Sequence, residues 1–211
     1  MESVENFTQF VHPASVVISG PSGVGKSFFV KRVVEHIDKL FSPPIQEILW
    51  CCAVQENWSH PRVKFLTEIP DPSTLNPSVN KLLILDDFME AKSDIQQQIS
   101  HFFTKYAHHT STSVIYLVQN LYHQGKYHRT ISLNANYFVL FQTRRDATQI
   151  HYLGNQLFPQ QNKFFKSVVE QVFKNQPYGY LLIDLKTHNE KLRLRSHIFP
   201  DEIGVAYVNN R

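Results

Sequence analysis

At 211 residues, 42% hydrophobic and 18% charged, the chain can bury one substantial core but not two, so residues 1–211 are expected to form a single domain. Its 21 Lys and Arg against 18 Asp and Glu, formally +3, exclude a surface that wraps nucleic acid on all sides; any such contact must be local. A 13% aromatic content without an apolar run of about eighteen residues excludes both a disordered chain and a membrane-spanning one.

Strands and helices alternate along the sequence. The opening "MESVENFTQF" lacks a basic segment followed by an apolar one, so the protein is expected inside the cell, neither secreted nor in a membrane. "ASVVISG" (14–20) is a short apolar strand, and "KSFFVKRVVEHIDKLF" (26–41) predicts one amphipathic helix stopped by "SPP". "IQEILWCCAV" (45–54) and "RVKFL" (62–66) are further strands, followed by the proline-rich loop "IPDPSTLNPSVN" (69–80). "KLLILDDF" (81–88) reads as a buried strand and "SDIQQQISHFFTKYAHH" (93–109) as a helix capped by Ser93. "TSVIYLVQN" (112–120) and "ANYFVLFQT" (135–143) are strands with the loop "LYHQGKYHRTISLN" (121–134) between them. Two helices, "RDATQIHYLGNQLF" (145–158) and "QNKFFKSVVEQVFKN" (161–175), flank Pro159, and "YGYLLIDLKTHNEKLRLRSHIF" (178–199) predicts a β-hairpin at the sheet edge. This order is α/β: a mostly parallel sheet with helices on both faces.

The cysteines, Cys51 and Cys52, are adjacent, whereas a metal site or disulfide framework needs spaced pairs; buried free thiols on a strand are expected. The histidines carry no metal-ligand spacing, and the pair His108 and His109 falls at a helix C-terminus, where cations are favoured.

Chemistry concentrates in three strand ends. "GPSGVGKS" places Gly20, four residues, Gly25, Lys26 and Ser27 between a strand and a helix, as a phosphate-binding loop requires. Gly20, Pro21, Ser22, Gly23, Val24 and Gly25 supply backbone N–H groups for phosphates, Lys26 reaches the β- and γ-phosphates of ATP, and Ser27 binds Mg²⁺. The strand 81–86 delivers Asp86, expected in the Mg²⁺ shell, and Asp87, expected to orient or deprotonate an attacking water. Many P-loop motors carry Glu at the second acidic position, against which Asp87 is one methylene, about 1.5 Å, short. The strand 112–118 delivers Gln119, an amide suited to sensing the γ-phosphate, although an ordinary strand-end cap explains it too.

Cationic side chains follow. Lys126 and Arg129 suit a DNA backbone, a neighbouring subunit or plain solvent. Arg144 and Arg145 end a strand on the phosphate side and are candidates for a finger acting on a neighbour's nucleotide, against a simple ion pair of Arg145 with Asp146. Lys191, Arg193 and Arg195 alternate with leucines and share one strand face, for edge protection or for contact with DNA or another subunit.

The opening octet resembles guanylate kinases, but no arginine-rich GMP acceptor segment follows it. With "ILWCCAVQENW", "LLILDDFM", the block "HHTSTSVIYLVQNLYHQGKYHRTISLNANYFVLFQTRRDATQI" and "YGYLLIDLK", the chain instead resembles the genome-packaging ATPases of the FtsK/HerA superfamily, particularly those of Polinton (Maverick) elements, adintoviruses and poxviruses. That resemblance implies a RecA-like core with an additional strand, and a homo-oligomeric ring of about five or six subunits that pumps double-stranded DNA into a capsid. It also implies Asp87 as the catalytic acid, Gln119 as sensor, an arginine finger, capsid or portal partners, and work in the host nucleus or at a viral assembly site. "CCAV" and "TRRD" depart from the family's usual Tyr-containing and proline-preceded segments. A nucleotide kinase and a nucleotide-dependent assembly switch remain as alternatives.

Overall fold

A computed structural model describes residues 10–52, 58–122, 126–143, 147–174, 176 and 178–209. Strand β1 (Phe10–Val11) leads to β2 (Ser15–Ser19), which is buried along its whole length and runs into the glycine-rich loop. Helix α1 (Lys26–Glu35), the helical turn α2 (Ile37–Leu40) and strands β3 (Phe41–Ser42), β4 (Glu47–Cys52), β5 (Val63–Leu66) and β6 (Lys81–Asp86) follow. Helix α3 (Ser93–His101) passes through a π-helical stretch, Phe102–Tyr106, into α4 (Ala107–His109). Next come β7 (Thr112–Val118), α5 (Lys126–Asn134), β8 (Tyr137–Phe141), α6 (Ala147–Leu157) and α7 (Asn162–Phe173). Strand β9 (Tyr180–Asp184), a 3₁₀ turn at Glu190–Leu192, β10 (Leu194–Ser196) and β11 (Val205–Ala206) complete the described chain.

The main sheet has nine strands in the order β11-β10-β9-β8-β2-β7-β6-β4-β5. From β8 to β5 every pairing is parallel, and β9, β10 and β11 add antiparallel pairings on one side. Side chains alternate between two cores. Val16 and Ile18 of β2 pack with Phe29 and Val33 of α1, whereas Val17, with Leu83 and Leu85 of β6, packs with Phe102 and Phe165 on the other face. Burial on both faces makes β2, β6 and β7 continuous apolar runs, the signature of a covered parallel sheet. It also aligns their C-terminal ends, where the glycine-rich loop, Asp86 and Gln119 emerge.

Several expectations need correction. The helix expected over 26–41 ends at Glu35; His36 leaves the helical region, and Phe41 pairs with Phe10 in a two-stranded sheet of β1 and β3. Ser93 is the first residue of α3, Lys92 stands at its cap, and no side chain caps it. The stretch expected as loop over 121–134 contains helix α5, which buries His128 and Ile131 beneath an exposed polar face. Cys51 is a buried free thiol, raised by burial to about 12, but Cys52 is only half-buried and lines the cleft described below.

Lys191, Arg193 and Arg195 do not share a strand face, because the 3₁₀ turn takes Lys191 out of the strand. Arg195 lies inside the fold, 2% exposed, paired with buried Asp184 of β9, whose other oxygen accepts from the Lys186 and Thr187 N–H groups at 2.9 Å each. Arg32 of α1 forks onto Glu202 and Asp201, each at 2.6 Å, and stacks 4.0 Å over the Phe199 ring. The helix that starts at the glycine-rich loop is thereby fastened to the segment after β10.

A buried imidazole joins β1 and β2 to the start of β7. His12 meets the Ser113 hydroxyl at 2.6 Å and the Ser111 hydroxyl at 3.2 Å, and burial, then Lys186 and Lys81, lower its pKa from 6.5 to about 4. The folded state favours the neutral ring, so its stabilisation is complete above the unfolded pKa near 6.5 and is lost as pH falls towards 4. Thermal midpoints are therefore expected to drop across that window, and less steeply in His12→Gln, as scanning calorimetry between pH 7.5 and 4 would report.

Candidate functional site

The loop between β2 and α1 curls because Gly23 and Gly25 hold φ of 80° and 101°, conformations that L side chains rarely adopt. Gly25 caps α1 without a side-chain bond, so the helix's first-turn N–H groups are left for an anion at its positive end. Lys26 Nζ donates to the carbonyls of Gly20 at 2.6 Å and Pro21 at 2.9 Å, which holds the ammonium over the loop. Burial draws its pKa below the ordinary lysine value, while Asp86 and Asp87 act in the opposite direction. The ammonium and both carboxylates therefore sense one another across the site.

Strand β6 stops at half-buried Asp86, and Asp87 turns away from the ladder at φ 65°, exposed. A left-handed conformation at a residue with a side chain costs about 1–3 kcal/mol and persists where the surroundings impose it. At the end of β7, Asn120 accepts from the Tyr122 N–H at 2.8 Å, so the strand-end cap is made by Asn120, and Leu121 donates to Gln149 of α6 at 3.0 Å. Gln119, just before them, is exposed.

These pieces meet in a cleft of about 540 Å³, lined by Ser22, Gly23, Gly25, Lys26 and Ser27 of the loop together with Asp86, Asp87 and Gln119. Gly20, Pro21 and Val24 line the opposite side of the loop, in a wider groove that Gln119 also borders. The far wall of the cleft is aromatic: Trp58 packs against Trp50 and Phe65, and Lys31 of α1 lies 5.7 Å over the Trp58 ring. A neighbouring cleft of about 330 Å³ shares Gly25 and Phe28 with the first and is faced by the Tyr178 ring, with Gln176 and His197 on its rim. Phe28 and Tyr178 are 66% and 68% exposed, and His197 holds φ 53°.

The Ser27 hydroxyl and Asp86 carboxylate are hard oxygen donors, which fit Mg²⁺ held jointly with phosphate oxygens and water. Among the described residues no group of three or more His, Cys, Asp and Glu forms an all-protein metal cage. No helix among them is long and apolar enough to cross a membrane.

The cationic candidates fall elsewhere. Arg144 and Arg145 lie outside the described residues. Lys126 is the first residue of α5, and Arg129 is exposed on that helix, beside a separate groove bordered by Leu133 and Tyr152. The Trp58 and Lys31 wall and the Tyr178 cleft went unread in the sequence; the aromatics of "ILWCCAVQENW" and "QPYGY" are visible there, but nothing local brings them to the loop.

No protein-family model matches the chain, and no curated protein does. Solved structures match across almost its whole length. The genome packaging NTPase B204 of Sulfolobus turreted icosahedral virus 2, in complex with AMPPCP, is 15% identical at a TM-score of 0.55, covering 88% of this chain and 97% of that one. Its complex with sulfate is 15% identical at 0.53, covering 88% and 96%. B204 from Sulfolobus turreted icosahedral virus, described as a DNA-packaging ATPase, is 14% identical at 0.51, covering 93% and 97%. At these identities the likeness establishes the α/β fold with its mostly parallel sheet, similar to that of a packaging ATPase.

Proposed function

We propose that the chain is the ATP-hydrolysing subunit of a motor that drives double-stranded DNA into a viral capsid. One observation carries this reading: a single cleft gathers a phosphate loop with its lysine and serine, two carboxylates from β6 and an amide from β7. Strand β7 lies between β2 and β6, so a complete strand separates the loop from the acidic pair. That spacing supports the additional-strand, RecA-like arrangement, in which water is the nucleophile, over a guanylate-kinase arrangement. The fold shared with viral packaging NTPases, one of them bound to AMPPCP, supports it further.

In this mechanism Lys26 turns from the Gly20 and Pro21 carbonyls to the β- and γ-phosphates, and first-turn N–H groups of α1 hold their oxygens. Ser27 and Asp86 would hold Mg²⁺, which supplies charge neutralisation to the phosphates. Asp87 accepts a proton from water as the water oxygen bonds to the γ-phosphorus, and the bond to the β-bridging oxygen breaks in line. Gln119 orients that water and registers loss of the γ-phosphate. The purine ring rests in the adjoining cleft against Tyr178 and Phe28, where exposed aromatic faces suit stacking.

The rest of the proposal follows the family resemblance. Subunits form a ring of about five or six, with Arg144 or Arg145 reaching a neighbour's nucleotide and Lys126 or Arg129 meeting DNA or a neighbour. Capsid or portal proteins are its partners, at a viral assembly site or in the host nucleus, in a Polinton-, adintovirus- or poxvirus-type element. The test is the ATPase rate of a size-resolved oligomer against duplex DNA concentration. A rate that rises with DNA is expected. A slow rate indifferent to DNA replaces the motor with an assembly switch, and ADP production that needs GMP replaces it with a kinase.

A further inference from the structure

The strained backbone at Asp87 requires something to impose it, and the turn that follows shows what does. The carbonyls of Phe88 and Met89, the next two residues, both accept from Gln96 Nε2, the second at 3.0 Å. Gln96 lies in the first turns of α3 and is 6% exposed. One amide group thus spends both of its N–H donors on a turn in which the Ala91 N–H also donates to the Phe88 carbonyl, at 3.2 Å.

Gln96 Oε1 and the Tyr116 hydroxyl of β7 are both fully buried and meet no hydrogen-bond partner among the described residues. Burial, the largest effect, lifts the Tyr116 phenol to about 12. Tyr116 pairs in register with Leu85 of β6, the residue before Asp86, and stands three residues before Gln119 on β7.

We propose that Gln96 is a positioning residue: its amide clamps the turn after Asp87 in the geometry that presents the carboxylate to the cleft. The inference rests on the hydrolytic reading of the same cleft. Gln96 touches neither nucleotide nor water; it acts through the placement of Asp87, so its loss lowers turnover without weakening binding.

The experiment compares wild type, Gln96→Leu, Asp87→Asn and the double variant for ATP turnover at saturation and for ATP affinity. Gln96→Leu keeps the side chain's bulk and removes the amide. A carboxylate displaced by about 1 Å loses on the order of 10²-fold in rate, so turnover is expected to fall about 10- to 100-fold with affinity unchanged. On the Asp87→Asn background the same substitution is expected to change turnover by less than about twofold, because both changes act at one group. A loss of general rigidity would instead lower affinity together with turnover, or multiply with Asp87→Asn, and either result overturns the clamp. Gln96→Met keeps the side chain's length without its N–H donors and serves where Gln96→Leu folds poorly; the same loss is expected, and unaltered turnover overturns the clamp. A wild type that binds ATP without hydrolysing it overturns the hydrolytic reading and the clamp together, whereas a hydrolysing wild type matched by Gln96→Leu overturns the clamp alone.

Discussion

Replacing Asp87 with Asn is expected to lower ATP turnover by about 10²- to 10⁴-fold while ATP affinity stays within a few-fold of wild type. The substitution is nearly isosteric, and Asn tolerates the left-handed region as readily as Asp, so the φ of 65° is retained and the fold is not disturbed. What is removed is the capacity to take a proton from water. The phosphate contacts proposed for Lys26, Ser27 and backbone N–H groups belong to a different element, and the substitution leaves that element as it is. Single-turnover hydrolysis with a fluorescent-nucleotide titration separates the two quantities. Unchanged turnover would remove Asp87 from the mechanism, and a parallel loss of affinity would make it a ligand for the nucleotide rather than a base.

The largest effect on stability is expected at a site that touches no nucleotide. Asp184→Ala leaves the Arg195 guanidinium 2% exposed with its carboxylate gone, a situation that costs about 3–5 kcal/mol. Against the roughly 5–15 kcal/mol that holds a domain of ordinary size together, that is a large share. The N–H groups of Lys186 and Thr187, which donate to the other Asp184 oxygen, lose their acceptor in the same step. Urea unfolding should show the midpoint falling with an unaltered slope. Asp184→Leu combined with Arg195→Met should recover most of the loss, because removing both charges abolishes the desolvation cost along with the attraction. If Asp184→Ala unfolds at the wild-type midpoint, the pair carries no net stability.

The strand ends were legible in sequence because β2, β6 and β7 are buried on both faces, and an unbroken apolar run that stops at Gly20, Asp86 or Gln119 marks its own C-terminal end. The parallel sheet then brings those ends together without further instruction, which is why Lys26, Asp86, Asp87 and Gln119 were found as a group. Helix α5 was not legible: its cations and the neighbouring Gly125 gave a loop signal, and its inward side consists of His128 and Ile131 rather than an apolar stripe. Arg195 misled for another reason. Alternation with leucines assigns side chains to two faces of a strand, but only the remainder of the fold decides which face is covered, and the partner Asp184 belongs to a different strand. Gln96 is the clearest case of what periodicity hides, since a glutamine among "QQQ" has no local mark of its function; that depends on two carbonyls brought to it by the turn after Asp87.

The fork of Arg32 onto Asp201 and Glu202 gives the molecule a path for mechanical load. Lys26 and Arg32 stand six residues apart on one rigid rod, about 9 Å, so tension on the segment beyond β10 arrives at the glycine-rich loop with little slack to absorb it. A tether or fusion attached there would tug on the proposed phosphate site.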